Sequence, residues 1–368
     1  MKLYLLLLLL LTICNSAFAF KINPFTEYDS QKNEFMKLEI AFPDPIHENL
    51  VARSTKKVKD DLLPQPVNIF VNQVAQGVRW NDDPLSMLKN RSIEFGTNYE
   101  KSCDDDVKNE IDEEWDYLYR THCGDMQYLH AMRSNDDKNL DDTKHRILMW
   151  LEFTYKVSSG TIPTNYRLRS VHDLMSEKNA TIFKEEITDN GEKYKCKYND
   201  SEEIVSCAEV ETLFSFECNR VMDFPRFWKT KPKCESKGNV DKELIRNIAL
   251  GSALHVLQDS MSDSHVDRIG DHNELCSPMN RQIGIIKYHN FNEQSSSRHG
   301  KADKKMCKES DGELNIVSIG ADFITQSLTD RKNGTNNWDN IRKDLDEVIF
   351  AHIEVDQERL RKNKYLDD

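Results

Sequence analysis

The chain has 368 residues, and its 63 acidic against 50 basic side chains give a formal net charge of −13. That balance argues against a protein gripping nucleic acid by non-specific phosphate contacts, which needs clustered Lys and Arg. An anionic substrate stays open, because bound metal can dominate the local field of a carboxylate-rich site.

The chain opens Met1, Lys2, then an apolar run from Leu3 to Ile13 that closes on Ser16, Ala17, Phe18 and Ala19. One early lysine, a short hydrophobic stretch and an Ala-x-Ala ending predict a cleavable secretory signal over residues 1–19, too short to span a bilayer. A lipid anchor on Cys14 is disfavoured, since Ile13 stands where a small residue is needed. Cleavage near Ala19 leaves enough chain for one large or two modest domains and predicts a secreted or periplasmic protein. No second apolar run approaches membrane length, so the mature chain is expected to be soluble. Cys103, Cys123, Cys196, Cys207, Cys218, Cys234, Cys276 and Cys307 remain, an even set without a CxxC pair. In an exported chain these read as disulfides rather than thiolate metal ligands, with no connectivity implied.

Residues 20–66 are polar and punctuated by Pro43, Pro45, Pro64 and Pro66, and read as an extended N-terminal segment. Helical signals prevail from Val67 onward. Asp83 before Pro84 is a good N-cap with proline at the first helical position, predicting a helix over Pro84 to Lys89. Further helices are expected near residues 106–120, 142–156, 241–262, 313–330 and 338–362, each with an apolar face at helical spacing. Between about 179 and 238 the pattern breaks into turn residues, four cysteines and short alternating runs, read as a disulfide-stapled insertion with some strand. The class predicted is mainly α: a multi-helix domain over residues 67–368 with metals between helices and a cysteine-containing insertion of mixed structure.

The segment IRNIALGSALHVLQDSMSDSHVDR, from Ile245 to Arg268, carries the chemistry. Leu250, Leu254, Leu257 and Met261 form a core-facing stripe. His255 and Asp259, four apart, stack on an adjoining face, close enough to share one cation, and His265 follows where the helix is expected to end. His299 and Asp303 repeat the four-residue spacing. Neutral imidazole with carboxylate suits zinc, and several such ligands suit a multinuclear site. A lone buried histidine is more often a hydrogen-bonded core residue, and the set of five outweighs that reading. Asp303, among Lys301, Lys304 and Lys305, competes with a plain solvated charge.

These residues resemble the core motif of the zinc-dependent phospholipases C and the related single-strand-specific nucleases. In that superfamily a helix carries His-xxx-Asp, a histidine follows ten residues after the first, and a later His-xxx-Glu or His-xxx-Asp pair completes a metal site. His255, Asp259, His265, His299 and Asp303 match it over roughly sixty residues. The superfamily also uses an N-terminal tryptophan, then a histidine, an aspartate and another histidine. GVRWNDDP supplies Trp80, far from the expected mature N-terminus, with Asp82 as a replacement ligand; THCGDMQYLHAM supplies His122, Asp125 and His130. With WNDDP, this segment looks like the divergent branch of secreted bacterial phosphatidylcholine-cleaving phospholipases C. Locally, Asp125 could instead cap a helix starting near Met126, and His130 could pack beside Tyr128 and Leu129. His145, His172 and His289 are weaker candidates, while His47, His272 and His352 have no supporting pattern.

The resemblance implies two or three zinc ions, a phospholipid substrate met at a membrane surface, and hydrolysis of phosphatidylcholine to diacylglycerol and phosphocholine by metal-activated water. Asp125 is the candidate general base. Two alternatives stand beside it. A zinc-dependent single-strand nuclease or nucleotidase would need stacking aromatics beside the metals, although stable nucleic-acid binding is not expected from the charge. A non-catalytic secreted zinc-binding protein would show a closed, ligand-saturated site.

Overall fold

The computed structural model describes residues 26–37, 45–84, 120–189, 197–198, 204–206, 208–223, 226–236, 240–262, 264–268, 284–291 and 315–353. The fold is mainly helical, with short two-stranded pairings at its margins. Strands β1 (Thr26–Asp29) and β2 (Glu34–Lys37) make an antiparallel hairpin. Helix α1 (Ile46–Lys57) follows, so the segment expected to be extended contains a three-turn helix. Its prolines lie outside the helix, and His47, Leu50, Val51 and Ser54 share its buried stripe at i, i+3, i+4 and i+7. Asn49 ties it to the hairpin by accepting from the Phe35 amide at 2.7 Å.

Helix α2 (Val67–Asp82) ends at Asp83, whose amide donates to the Arg79 carbonyl at 2.9 Å. Asp83 is thus the C-terminal cap of the preceding helix. The anticipated helix at Pro84 to Lys89 and that at 106–120 lie outside the described residues, apart from their end residues. Residues 120–122 are helical and lead into a 3₁₀ turn, Gln127–His130.

Helix α3 (Leu140–Ser159) is capped by the Asn139 side chain, which accepts from the Asp142 amide, and stops at Gly160 with φ +84°. That left-handed geometry is one glycine adopts without a Cβ penalty. Helix α4 (Glu177–Phe183) runs on into a π-helical turn, Lys184–Asp189. The mixed stretch then supplies β3 (Lys197–Tyr198), β4 (Ile204–Ser206), α5 (Val210–Phe214), and the hairpin of β5 (Phe216–Asp223) and β6 (Arg226–Ser236).

Helix α6 (Lys242–Asp259) carries the His255–Asp259 pair and is the centre of the fold, packed by α2, α3, α7 (Ile316–Asn333) and α1. Every residue from Asn247 to Asp259 is buried, so it is enclosed on all sides rather than half-exposed. Its closest neighbour is α2. A Cβ on Gly251 would fall inside the van der Waals envelope of the Val74 carbonyl, and one on Gly77 inside that of Ile248. Two glycines therefore let the helix backbones touch, bringing the end of α2 onto α6.

Between α6 and α7 lie β7 (Val266–Arg268) and β8 (Ile285–Tyr288), paired antiparallel. Helix α8 (Trp338–Asp344) loosens into a π turn, Leu345–Ile349. The helix expected to continue toward residue 362 stops there, because the following backbone pairs with β8: Ile285 donates to the Ala351 carbonyl at 2.7 Å, and Ile353 to the Ile285 carbonyl at 3.2 Å. Among the described residues, no helix is long and apolar enough to cross a membrane.

Candidate metal centre

The site forms where α1, the end of α2, residues 120–130 and the end of α6 converge. On α6, one helical turn sets His255 Nε2 2.9 Å from Asp259 Oδ2, as the i, i+4 spacing predicts. His130, at the end of the 3₁₀ turn, brings its Nδ1 to 3.1 Å from both His255 Nε2 and Asp259 Oδ2. From α2, Asp82 places Oδ1 3.8 Å from His130 Nδ1 and Oδ2 3.8 Å from His255 Nδ1. From α1, His47 stacks on His255 with ring centroids 4.4 Å apart and sets Nε2 3.4 Å from Asp259 Oδ1.

Two buried triads result, His47 with His255 and Asp259, and Asp82 with His122 and His130, and within each the three ligand atoms lie within 4.8 Å of one another. Asp259 joins them: one oxygen faces the first triad's His47, the other faces His130 of the second. His265 adjoins the pair, with Nδ1 3.9 Å from Asp259 Oδ2.

The ring orientations are set from outside the cluster. His265 Nδ1 donates to the His130 carbonyl at 2.8 Å, an acceptor-only group, so a neutral His265 carries its lone pair on Nε2. Thr121 Oγ1 lies 2.9 Å from His122 Nδ1, and Gln258 Oε1 lies 2.5 Å from His47 Nδ1. Asn81 braces the elements beneath: its Nδ2 donates to the Leu129 carbonyl at 2.7 Å and its Oδ1 accepts from Ser252 Oγ at 2.6 Å. Ser252 in turn accepts from the Trp150 indole at 3.0 Å. One buried polar chain thus locks α2, the 3₁₀ turn, α6 and α3 together.

Burial holds the His255 imidazole down to about 3, against the Val78 backbone, and brings His47 to about 4, with His255 nearby acting in the same direction. His130 is pushed well below the usual imidazole range by burial and then by its neighbour His122. Burial pushes the Asp259 carboxyl well above its usual range, against His47. Neutral imidazoles are the form metal coordination needs, and a buried carboxyl that resists charge is one a cation would compensate. Nε2 of His130 is fully buried and makes no hydrogen bond in the structure. Imidazole nitrogen with carboxylate oxygen, in two joined sets, fits divalent ions of the zinc type.

Of the residues singled out in the sequence, the fold brings together His255, Asp259, His265, His130, His122 and Asp82. Asp125 stays out of the cluster, because Arg120 donates to both its oxygens at 2.8 Å, Nε to Oδ1 and Nη2 to Oδ2. Trp80 lies inside α2, and its ring stacks on Trp150 with centroids 5.7 Å apart. His299, Asp303 and His272 lie outside the described residues. His289 pairs with Asp267 at 3.0 Å, His172 with Asp173 at 3.3 Å and His352 with Asp141 at 3.2 Å, while His145 lies against Lys178.

His47 is the residue sequence reasoning missed. Its signal was present: a histidine in phase with Leu50, Val51 and Ser54 on the buried stripe of a short helix. Comparison with protein-family models, with curated proteins and with solved structures gives no match.

Proposed function

We propose that the chain is a secreted, zinc-dependent phosphodiester hydrolase acting as a phospholipase C on phosphatidylcholine at a membrane surface. The observation that carries the metal-centred reading is the pair of buried triads joined through Asp259. His47, His255 and Asp259 would hold one ion, and Asp82, His122 and His130 a second. Asp259 reaches both sets, and His265 stands beside them for a further ion. Divalent cations bound there supply Lewis acidity for phosphate oxygens and for water.

The chain's own groups do the rest. The imidazoles of His47, His130 and His255 stay neutral because they are buried, so their nitrogens are available as donors to a cation. Hydrogen bonds from His47 to the Gln258 oxygen and from His265 to the His130 carbonyl, with the Thr121–His122 contact, hold the rings in place before any ligand arrives. The choice of lipid over polynucleotide rests on the acidic balance of the chain and on the motif resemblance. Export rests on the apolar N-terminal run of the chain.

The test is to load the purified chain with zinc and assay phosphocholine release from phosphatidylcholine beside cleavage of single-stranded DNA. Lipid turnover that vanishes in His255→Ala is the expected result. Cleavage of DNA alone would move the chain to the nuclease reading. Zinc uptake without turnover of either substrate would leave a binding protein.

A further inference from the structure

Gln258 and Asp259 are adjacent on α6, yet both reach His47 on α1, from opposite ends of its ring. Gln258 Oε1 lies 2.5 Å from Nδ1, and Asp259 Oδ1 lies 3.4 Å from Nε2. The His255 ring stacks on the imidazole face at 4.4 Å. The carboxamide can take one orientation only, because its Nε2 faces the His47 carbonyl oxygen at 3.5 Å and turning it over would set two acceptors against each other. An amide oxygen accepts and never donates, so His47 Nδ1 is the donor. A neutral imidazole has one N–H, and its lone pair is therefore on Nε2, aimed at a carboxylate oxygen. With Asp259 ionised, two lone pairs would face one another there, a gap that the carboxyl's own proton fills in the metal-free chain and that a divalent ion would fill on displacing it.

We infer that Gln258 is a positioning residue for a divalent ion at His47 and Asp259: it holds His47 as the Nδ1–H tautomer and presents Nε2 to the ion. The inference rests on the metal-dependent reading above and adds to it the group outside the ligand set that makes His47 a competent donor. Outer-sphere partners of this kind fix both ring orientation and tautomer.

The first experiment needs no variant. Long-range proton–nitrogen correlation on the metal-free, histidine-labelled full chain should report His47 protonated at Nδ1; protonation at Nε2 overturns the inference. The second titrates zinc against a chromophoric chelator in wild type, Gln258→Leu and Gln258→Glu. Gln258→Leu should weaken one zinc equivalent by about 10- to 100-fold while the others hold, and Gln258→Glu, which keeps the acceptor oxygen, should recover most of that loss. Wild-type affinity in Gln258→Leu, or equal damage in Gln258→Glu, overturns the inference and leaves the metal reading standing. Failure of the wild-type chain to take up zinc overturns both.

Discussion

His130 and Asp259 are 129 residues apart in the chain, and in the protein interior Nδ1 of one lies 3.1 Å from Oδ2 of the other. This contact makes one cluster of two triads, so loss of Asp259 should be felt by both. Asp259→Asn is expected to lower zinc content by more than one equivalent, with affinity falling more than about 100-fold, beyond the range for a lost outer-sphere partner. His122→Ala, at the far edge, should cost a single equivalent. Elemental analysis after dialysis against a fixed free-zinc buffer separates the two, and equal stoichiometry in both variants would count against Asp259 as the shared ligand.

Asp82 and Asp125 offer a direct contrast, since both are acidic and both precede a histidine of the cluster. Asp82 lies within the second triad, whereas Asp125 is engaged at both oxygens by Arg120. Asp82→Asn should therefore lower zinc affinity and turnover by at least about 100-fold, and Asp125→Asn should change either by no more than about threefold. Parallel kinetics with the two purified variants decide it. The reverse order would restore Asp125 to the site.

The crossing of α2 and α6 should be intolerant of even one added methyl. Gly251→Ala drives a Cβ against the Val74 carbonyl and the Gly77 Cα, backbone atoms that cannot swing aside. A loss of about 1–3 kcal/mol or more is expected in urea unfolding, together with weaker zinc binding, because α2 carries Asp82. Gly334→Ala is the control. Gly334 has φ +65° but nothing within 4 Å of its would-be Cβ, so backbone strain alone should cost about 1 kcal/mol and leave zinc binding unchanged.

Asp330 predicts an acid-sensitive brace outside the candidate metal centre. Tyr155 donates to its Oδ2 at 2.5 Å, the Asn337 amide to Oδ2 at 2.7 Å, and Thr335 and Asn337 side chains to Oδ1, each at 2.5 Å. Burial raises its carboxyl, but these hydrogen bonds outweigh it and the net direction is down from 3.8. A carboxyl held below its unfolded value contributes stability above that value and loses it as pH falls through the folded one. Asp330→Asn should cost about 2–3 kcal/mol near neutral pH, by weakening charge-assisted hydrogen bonds. The gap from wild type should narrow below about pH 4, measured by denaturant unfolding with chelator present. A gap independent of pH would remove the charge from this account.

The amino-acid sequence by itself determined the local half of this protein. Helical phase placed His255 and Asp259 one turn apart. Asparagine and glycine at the ends of α3 set its limits, and the apolar periodicities placed α3, α6 and α7 to within a few residues. Those relations follow from 3.6 residues per turn and need nothing from the rest of the chain.

Tertiary structure alone decided which distant groups join that pair. His47 enters because α1 packs its buried stripe on α6, and Asp82 enters because Gly77 and Gly251 let two backbones touch. Asp125 is turned instead to Arg120, which donates to both its oxygens. Such outcomes depend on helix crossings and on competition among side chains in a shared interior, quantities that have no period in the sequence to reveal them.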